Sequence, residues 1–222
     1  MKESNKLSLQ KAGGISMIYA GLAYLAMIVY FLGIIDYTSI TDAGEKIQLF
    51  SQNQAGFYVI YLLGYVIFGL ALVVISLSLY EKLKQSSSIT KIAAVYGIIW
   101  AALLIGAGTI YNRGIATAVQ MYASDPAGAI AFLNATEATA LGISFSDGEI
   151  LGGLWTLLIS IAAMKGKIFN KAINYLGLVV GTAGILSVIP AINEFGGTGI
   201  FGIGQMIWFV WVGILMLKEK QA

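Results

Sequence analysis

The sequence predicts an all-α fold, a polytopic integral membrane bundle of six transmembrane helices with both termini cytoplasmic. Three observations predict it: a surplus of apolar residues, six long apolar stretches, and a lopsided distribution of lysine. Of 222 residues, 58% are hydrophobic and only 11% charged, and the mean hydropathy is +0.83. Soluble domains lie nearer roughly 45–50% apolar and about 25% charged. One water-soluble core of this size could not bury the surplus, so the remainder is expected to face lipid.

A span needs about 20 mostly apolar residues to cross roughly 30 Å of hydrocarbon. Stretches 12–35, 55–80, 92–111, 148–164, 172–190 and 200–217 qualify. Each is expected to be helical, because lipid cannot satisfy an open strand edge. Barrel strands alternate over about 10 residues, and these unbroken apolar runs do not. The fourth stretch is the shortest, and a start within 138–146 stays open. Lys2, Lys6 and Lys11 precede the first stretch as they would in a signal peptide. That stretch exceeds the roughly 7–15 apolar residues of a signal core and lacks a small-residue cleavage site. A retained first helix is expected.

Lysine and arginine test both the count and the orientation. Eleven of the thirteen cations (Lys2, Lys6, Lys11, Lys82, Lys84, Lys91, Lys165, Lys167, Lys171, Lys218 and Lys220) fall in the segments on the N-terminal side. Only Lys46 and Arg113 fall opposite. Cytoplasmic loops carry such an excess, and one missed span would scramble the alternation. The acids Asp36, Asp42, Glu45, Asp125, Glu137, Asp147 and Glu194 gather on the other side. Residues 112–147 are the longest segment there, with mildly apolar runs at 127–133 and 138–145. They read as an external loop carrying an amphipathic helix against the bundle. A seventh span would put Glu137 in lipid and reverse the C-terminal lysines. Residues 1–222 thus form a single transmembrane domain, and its two halves show no convincing similarity.

There is no Cys and no His. Disulfides, Cys- or His-ligated metals, His-ligated haem and His-assisted nucleophiles are excluded. No cofactor or metal is expected, and no motif specifies a reaction. A net charge of +2 comes from lysines beside apolar spans, which topology explains better than a nucleic-acid partner. The expected partners are the lipid bilayer, a small-molecule or ion ligand, and a second copy of the chain through glycine-rich helix faces. Gly148-x-x-x-Gly152 and Gly177-x-x-x-Gly181 have the spacing that lets helices approach closely, either inside one bundle or between copies.

Candidate ligand-binding residues cluster at one depth. Arg113 is the only arginine, at the outer end of the third span. Asp147 and Glu149 stand where the fourth span enters from the same side, and Glu194 follows the fifth. Gln205 lies about a turn and a half inside the sixth. Tyr58, Tyr61 and Tyr65 share one face of the second helix, at i, i+3 and i+7, and Tyr61 is the one taken as a ligand contact. A charge at mid-membrane costs about 2.5–3.5 kcal/mol on insertion scales, so Glu149 should turn inward, towards water or a cation. An outward-opening polar pocket around Arg113, with Asp147 and Glu149 as counter-charges, is the sharper expectation. Interfacial charges satisfied by water are the plainer one.

Gly14-Ile-Ser-Met-Ile-Tyr-Ala-Gly21, Ser78-Leu-Tyr-Glu-Lys-Leu-Lys84, Gly153-Leu-Trp-Thr-Leu157, Tyr175-Leu-Gly-Leu178 and Gly204-Gln-Met-Ile-Trp208 carry a resemblance over most of the chain. It resembles an uncharacterised prokaryotic family of six-span membrane proteins, domain of unknown function 4386. The resemblance implies the six-span fold and a plasma-membrane location, and no activity. Three function classes stay open: small-molecule or ion transport or binding; a sensor, accessory or lipid-interacting protein; and a membrane enzyme.

Overall fold

The computed structural model describes residues 8–144 and 148–218. Every regular element among them is helical: α1 (Leu9–Ile28), α2 (Ala43–Gln52), α3 (Gln54–Tyr61), α4 (Phe68–Leu83), α5 (Ile89–Tyr122), α6 (Pro126–Ser144), α7 (Ile150–Lys165), α8 (Lys171–Leu186), α9 (Pro190–Glu194) and α10 (Gly197–Lys218). A π-helical segment, Val29–Ile34, extends α1, and another, Leu62–Ile67, joins α3 to α4. Four continuous helices, Leu9–Ile34, Gln54–Leu83, Ile89–Tyr122 and Gly197–Lys218, are long and apolar enough to cross a membrane. Two shorter apolar helices are α7 and α8.

Side-chain caps set several starts. Ser8 Oγ accepts from the Lys11 N–H, Asp42 Oδ1 from the Glu45 N–H and Asn170 Oδ1 from the Ile173 N–H, each satisfying a backbone donor that the first turn leaves free. At the opposite ends lysine stands in the last turn of α4, α7 and α10, where the helix dipole favours it.

Six helices pack in a closed ring, in the order α1, α4, α5, α7, α8, α10 and back to α1. Aromatic side chains fill its middle. Trp155 lies 6.0 Å from Trp100 and 5.6 Å from Trp208, ring centre to ring centre, and all three are buried. The outward faces carry Leu22, Leu32, Leu70, Val95, Val179 and Ile203, all exposed. Apolar atoms thus cover both the core and the periphery, the pattern of a helix bundle in lipid.

The lysine-bearing loops meet at one end of the ring. The Lys82 ammonium lies 5.7 Å from the Phe169 ring centre, and the Gln10 amide donates to the Met216 carbonyl at 2.9 Å. At the other end the chain builds a helical cap. The third apolar stretch, expected to stop at Tyr111, continues as one helix to Tyr122. Its 34 residues give a rod of about 51 Å, well beyond roughly 30 Å of hydrocarbon. The overhang packs against α6 and against α2, so residues 112–122, expected in an external loop, belong to a helix. Ile115, Ala118, Ala129 and Leu133 form a second core there, with Ile47 and Phe50.

A polar latch ties the cap together. The Tyr37 phenol donates to Glu137 Oε1, and the Lys46 ammonium lies 3.3 Å from Glu137 Oε2. Lys46 also sits 5.2 Å from the centre of the Tyr37 ring. Burial above all, then the bond to Glu137 and its charge, push the Tyr37 phenol above its usual value of 10.0. A folded-state value raised in this way adds stability below about pH 10, and that stability is lost as the pH rises further. Wild-type thermal melts should therefore fall above about pH 10. Tyr37→Phe should cost about 1 kcal/mol near neutrality and flatten that alkaline decline. An unchanged alkaline slope in Tyr37→Phe would remove the phenol from the account.

Candidate functional site

One cavity in the bundle combines a charge with aromatic walls. It measures about 160 Å³ and lies between α1, the second π-helical segment, α4, α5 and the start of α7. Tyr24, Met27 and Ile28 line it from α1, and Gly64 and Tyr65 from the π-helical segment. Phe68, Trp100, Leu104 and Glu149 complete the wall. Counting about 1.5 Å per residue from Ile89 to Trp100 and Leu104 puts the cavity ~17–23 Å from the lysine-bearing end. It therefore sits deep in the bundle, below the cap.

Each wall residue is held by its helix. Tyr24 meets Phe68 edge to face at 5.5 Å, and Phe68 meets Trp100 the same way at 6.0 Å. Such pairs prefer this geometry because the positive ring edge faces the negative ring surface. Gly64 leaves room for Met27: a β-carbon there would stand 2.3 Å from the Met27 sulfur. Both π-helical segments border the cavity, one beginning directly after Ile28 and the other contributing Gly64 and Tyr65. A π-helical turn widens a helix at the expense of its regular hydrogen bonds and is frequent at functional sites.

Among the described residues Glu149 is the only charged one in this wall. Its backbone is fixed at the entrance to α7: its N–H donates to Ser187 Oγ at 2.9 Å, and its carbonyl accepts from the Gly153 N–H at 2.7 Å. It stands directly before the first residue of α7, where the dipole favours a carboxylate. Among the described residues no cation pairs with its carboxyl group and no donor bonds to it.

The other expected site residues scatter. Arg113 is exposed on α5 and lines a separate groove with Tyr58, Leu62 and Asn112. The pocket expected around Arg113 with Glu149 as counter-charge is therefore not formed, because the two residues face different cavities. Asp147 lies outside the described residues. Glu194 is exposed at the end of α9. Gln205 is fully buried in the ring, where the Thr156 hydroxyl donates to its Oε1 at 2.8 Å. Tyr61 is buried too, stacked on Tyr111 at 4.4 Å and 13°, and it touches the cavity residue Tyr65 at 5.8 Å.

Of these wall residues the sequence singles out Glu149 and, within the tyrosine stripe, Tyr65. Tyr24, Met27, Phe68, Trp100 and Leu104 carry no sequence signal that separates them from ordinary packing residues. Among the described residues no group of three acidic side chains could hold a metal ion.

No curated protein and no solved structure matches the chain significantly. The model of a domain of unknown function, DUF4386, matches residues 19–215, and with nearly the whole helical bundle inside that match the chain belongs to this family.

Proposed function

We propose that the chain is a six-span plasma-membrane protein, with its lysine-bearing end in the cytoplasm, that binds a small ligand in the Glu149 cavity for transport or sensing. The observation that carries the ligand reading is a carboxyl group that no described residue pairs with, in a cavity walled mainly by aromatic and aliphatic side chains. A group of this kind is expensive inside a membrane and marks a functional site by default. Structural acids are normally paired, as Glu137 is with Lys46.

The closed ring supports a count of six. At 16 residues each, α7 and α8 are about 24 Å long, short for a bilayer. They nevertheless stand between α5 and α10 as full members of the ring, and α6 and α9 lengthen the chain at their cap ends. The lysines at one end support the orientation by the positive-inside rule.

Because the chain lacks cysteine, single introduced cysteines report without background. Ser124→Cys at the cap end should react with an impermeant thiol reagent on intact cells, and Ser88→Cys only after permeabilisation. The reverse pattern would overturn the orientation. Leu104→Cys should react with a small permeant reagent, since it lines the cavity. A Leu104→Cys thiol that stays inert would make the cavity a closed void and end the ligand reading.

A further inference from the structure

We infer that the ligand of this cavity is a small organic monocation, an ammonium compound carrying about one aromatic ring or its alkyl equivalent. The inference rests on the cavity being a ligand site, and it adds the chemical class.

Size comes first. A dry cavity of about 150 Å³ in a protein core holds one benzene, and this one measures about 160 Å³. That volume takes about one ring, and because the cavity is partly open an attached head group can extend beyond it. Charge comes second. Among the described residues Glu149 is the only charged one in the wall, and none of them contributes a cation to it. An anion would be repelled. A neutral guest would leave the carboxylate without a counter-charge in a medium where burying one alone is costly.

Among cations, the wall selects further. A divalent metal needs several oxygen ligands, and no cluster of three acidic side chains stands among the described residues. A hydrated inorganic monovalent ion would have to shed water against Met27, Ile28, Phe68 and Leu104, which return nothing. A diffuse organic cation suits both halves of the wall. Its charge meets Glu149 and a wall that holds the rings of Tyr24, Tyr65, Phe68 and Trp100, the residue types by which aromatic cages recognise quaternary ammonium groups. Its carbon surface meets the aliphatic side.

The test compares phenyltrimethylammonium with tert-butylbenzene, which has the same shape without the charge. Both are titrated into the full-length protein in lipid nanodiscs. Binding is read by quenching of tryptophan fluorescence, Trp100 being in the wall, and by thermal melting. The ammonium should bind tighter than the neutral compound by on the order of tenfold. Glu149→Gln should weaken the ammonium by a similar factor and leave tert-butylbenzene within about twofold. Comparing wild type with variant cancels partition into the lipid. Should Glu149→Gln fail to fold, Tyr65→Leu serves in its place. It keeps the carboxylate, removes one ring face, and should weaken the ammonium several-fold more than the neutral probe.

Equal or tighter binding of tert-butylbenzene by wild type would overturn the cation inference while leaving a ligand cavity. An ammonium affinity unchanged in Glu149→Gln would overturn it as well. Binding of neither compound would overturn both the inference and the ligand reading beneath it.

Discussion

Gly181→Leu should leave little folded protein, whereas Gly106→Leu should melt at or above the wild-type temperature. The contrast follows from what a side chain would meet. A β-carbon on Gly181 would stand 2.6 Å from the backbone nitrogen of Leu157 and 2.8 Å from the carbonyl oxygen of Gly153. The contact is mutual, since a β-carbon on Gly153 would stand 2.6 Å from the Ile185 nitrogen and 2.8 Å from the Gly181 oxygen. These are backbone atoms, which no rotamer change can move aside. Even alanine at 181 must push α7 and α8 apart, at about 1–3 kcal/mol for overpacking, and leucine far more. Gly106 faces open space, with nothing within 4 Å of its β-carbon position. There a leucine relieves the helix of a flexible residue and gains up to about 1 kcal/mol. Detergent melts of both variants decide the matter. A Gly181→Leu protein that melts near wild type would mean that α7 and α8 do not touch in this way.

The same pair of helices separates what is legible in the sequence from what is not. The spacing Gly177-x-x-x-Gly181 announces a close helix approach, and composition announces the lipid-facing surplus, because both are local properties of a helix. The choice of partner is not local. Gly153, outside either spaced pair, faces Gly181. Gly177 instead leaves room for the Ser160 hydroxyl and the Trp208 indole nitrogen, at 1.9 and 2.7 Å from its β-carbon position.

The cap is half legible for a related reason. Asn112 and Arg113 look like the end of a span, yet backbone hydrogen bonding carries α5 on to Tyr122. What sustains the extension is burial of Ala118 and Ile115 against α6, a long-range contact that hydropathy cannot register. Glu149 stands out because a carboxylate is rare inside an apolar stretch. Its neighbours in the cavity do not, because tyrosine and tryptophan in such stretches are ordinary packing residues until the fold turns them towards a charge. The π-helical segments leave no trace in composition, since they alter hydrogen-bond register and not residue type.

Thr156→Val should cost more than the double change Thr156→Val with Gln205→Leu. Gln205, expected in a polar pocket, lies in the centre of the ring, fully buried on the same helix as Phe201, Trp208 and Phe209. Its Oε1 accepts from the Thr156 hydroxyl at 2.8 Å, also fully buried. Its Nε2, also buried, has no hydrogen-bond partner among the described residues. Removing only the Thr156 hydroxyl strands the second end of the amide as well, at about 1–3 kcal/mol for an orphaned buried polar group. Removing both partners strands nothing, and apolar replacements of similar shape can be nearly neutral. Gln205→Leu alone should therefore be mild, because the wild-type amide already carries one unmet donor and the threonine hydroxyl can turn to a carbonyl of its own helix. In a double-mutant cycle the coupling should exceed about 0.5 kcal/mol, comparable to hydrogen bonds measured inside membrane proteins. Additive effects would mean that water or a ligand already satisfies the amide, and Gln205 would then belong to a wet path through the ring, not to its core.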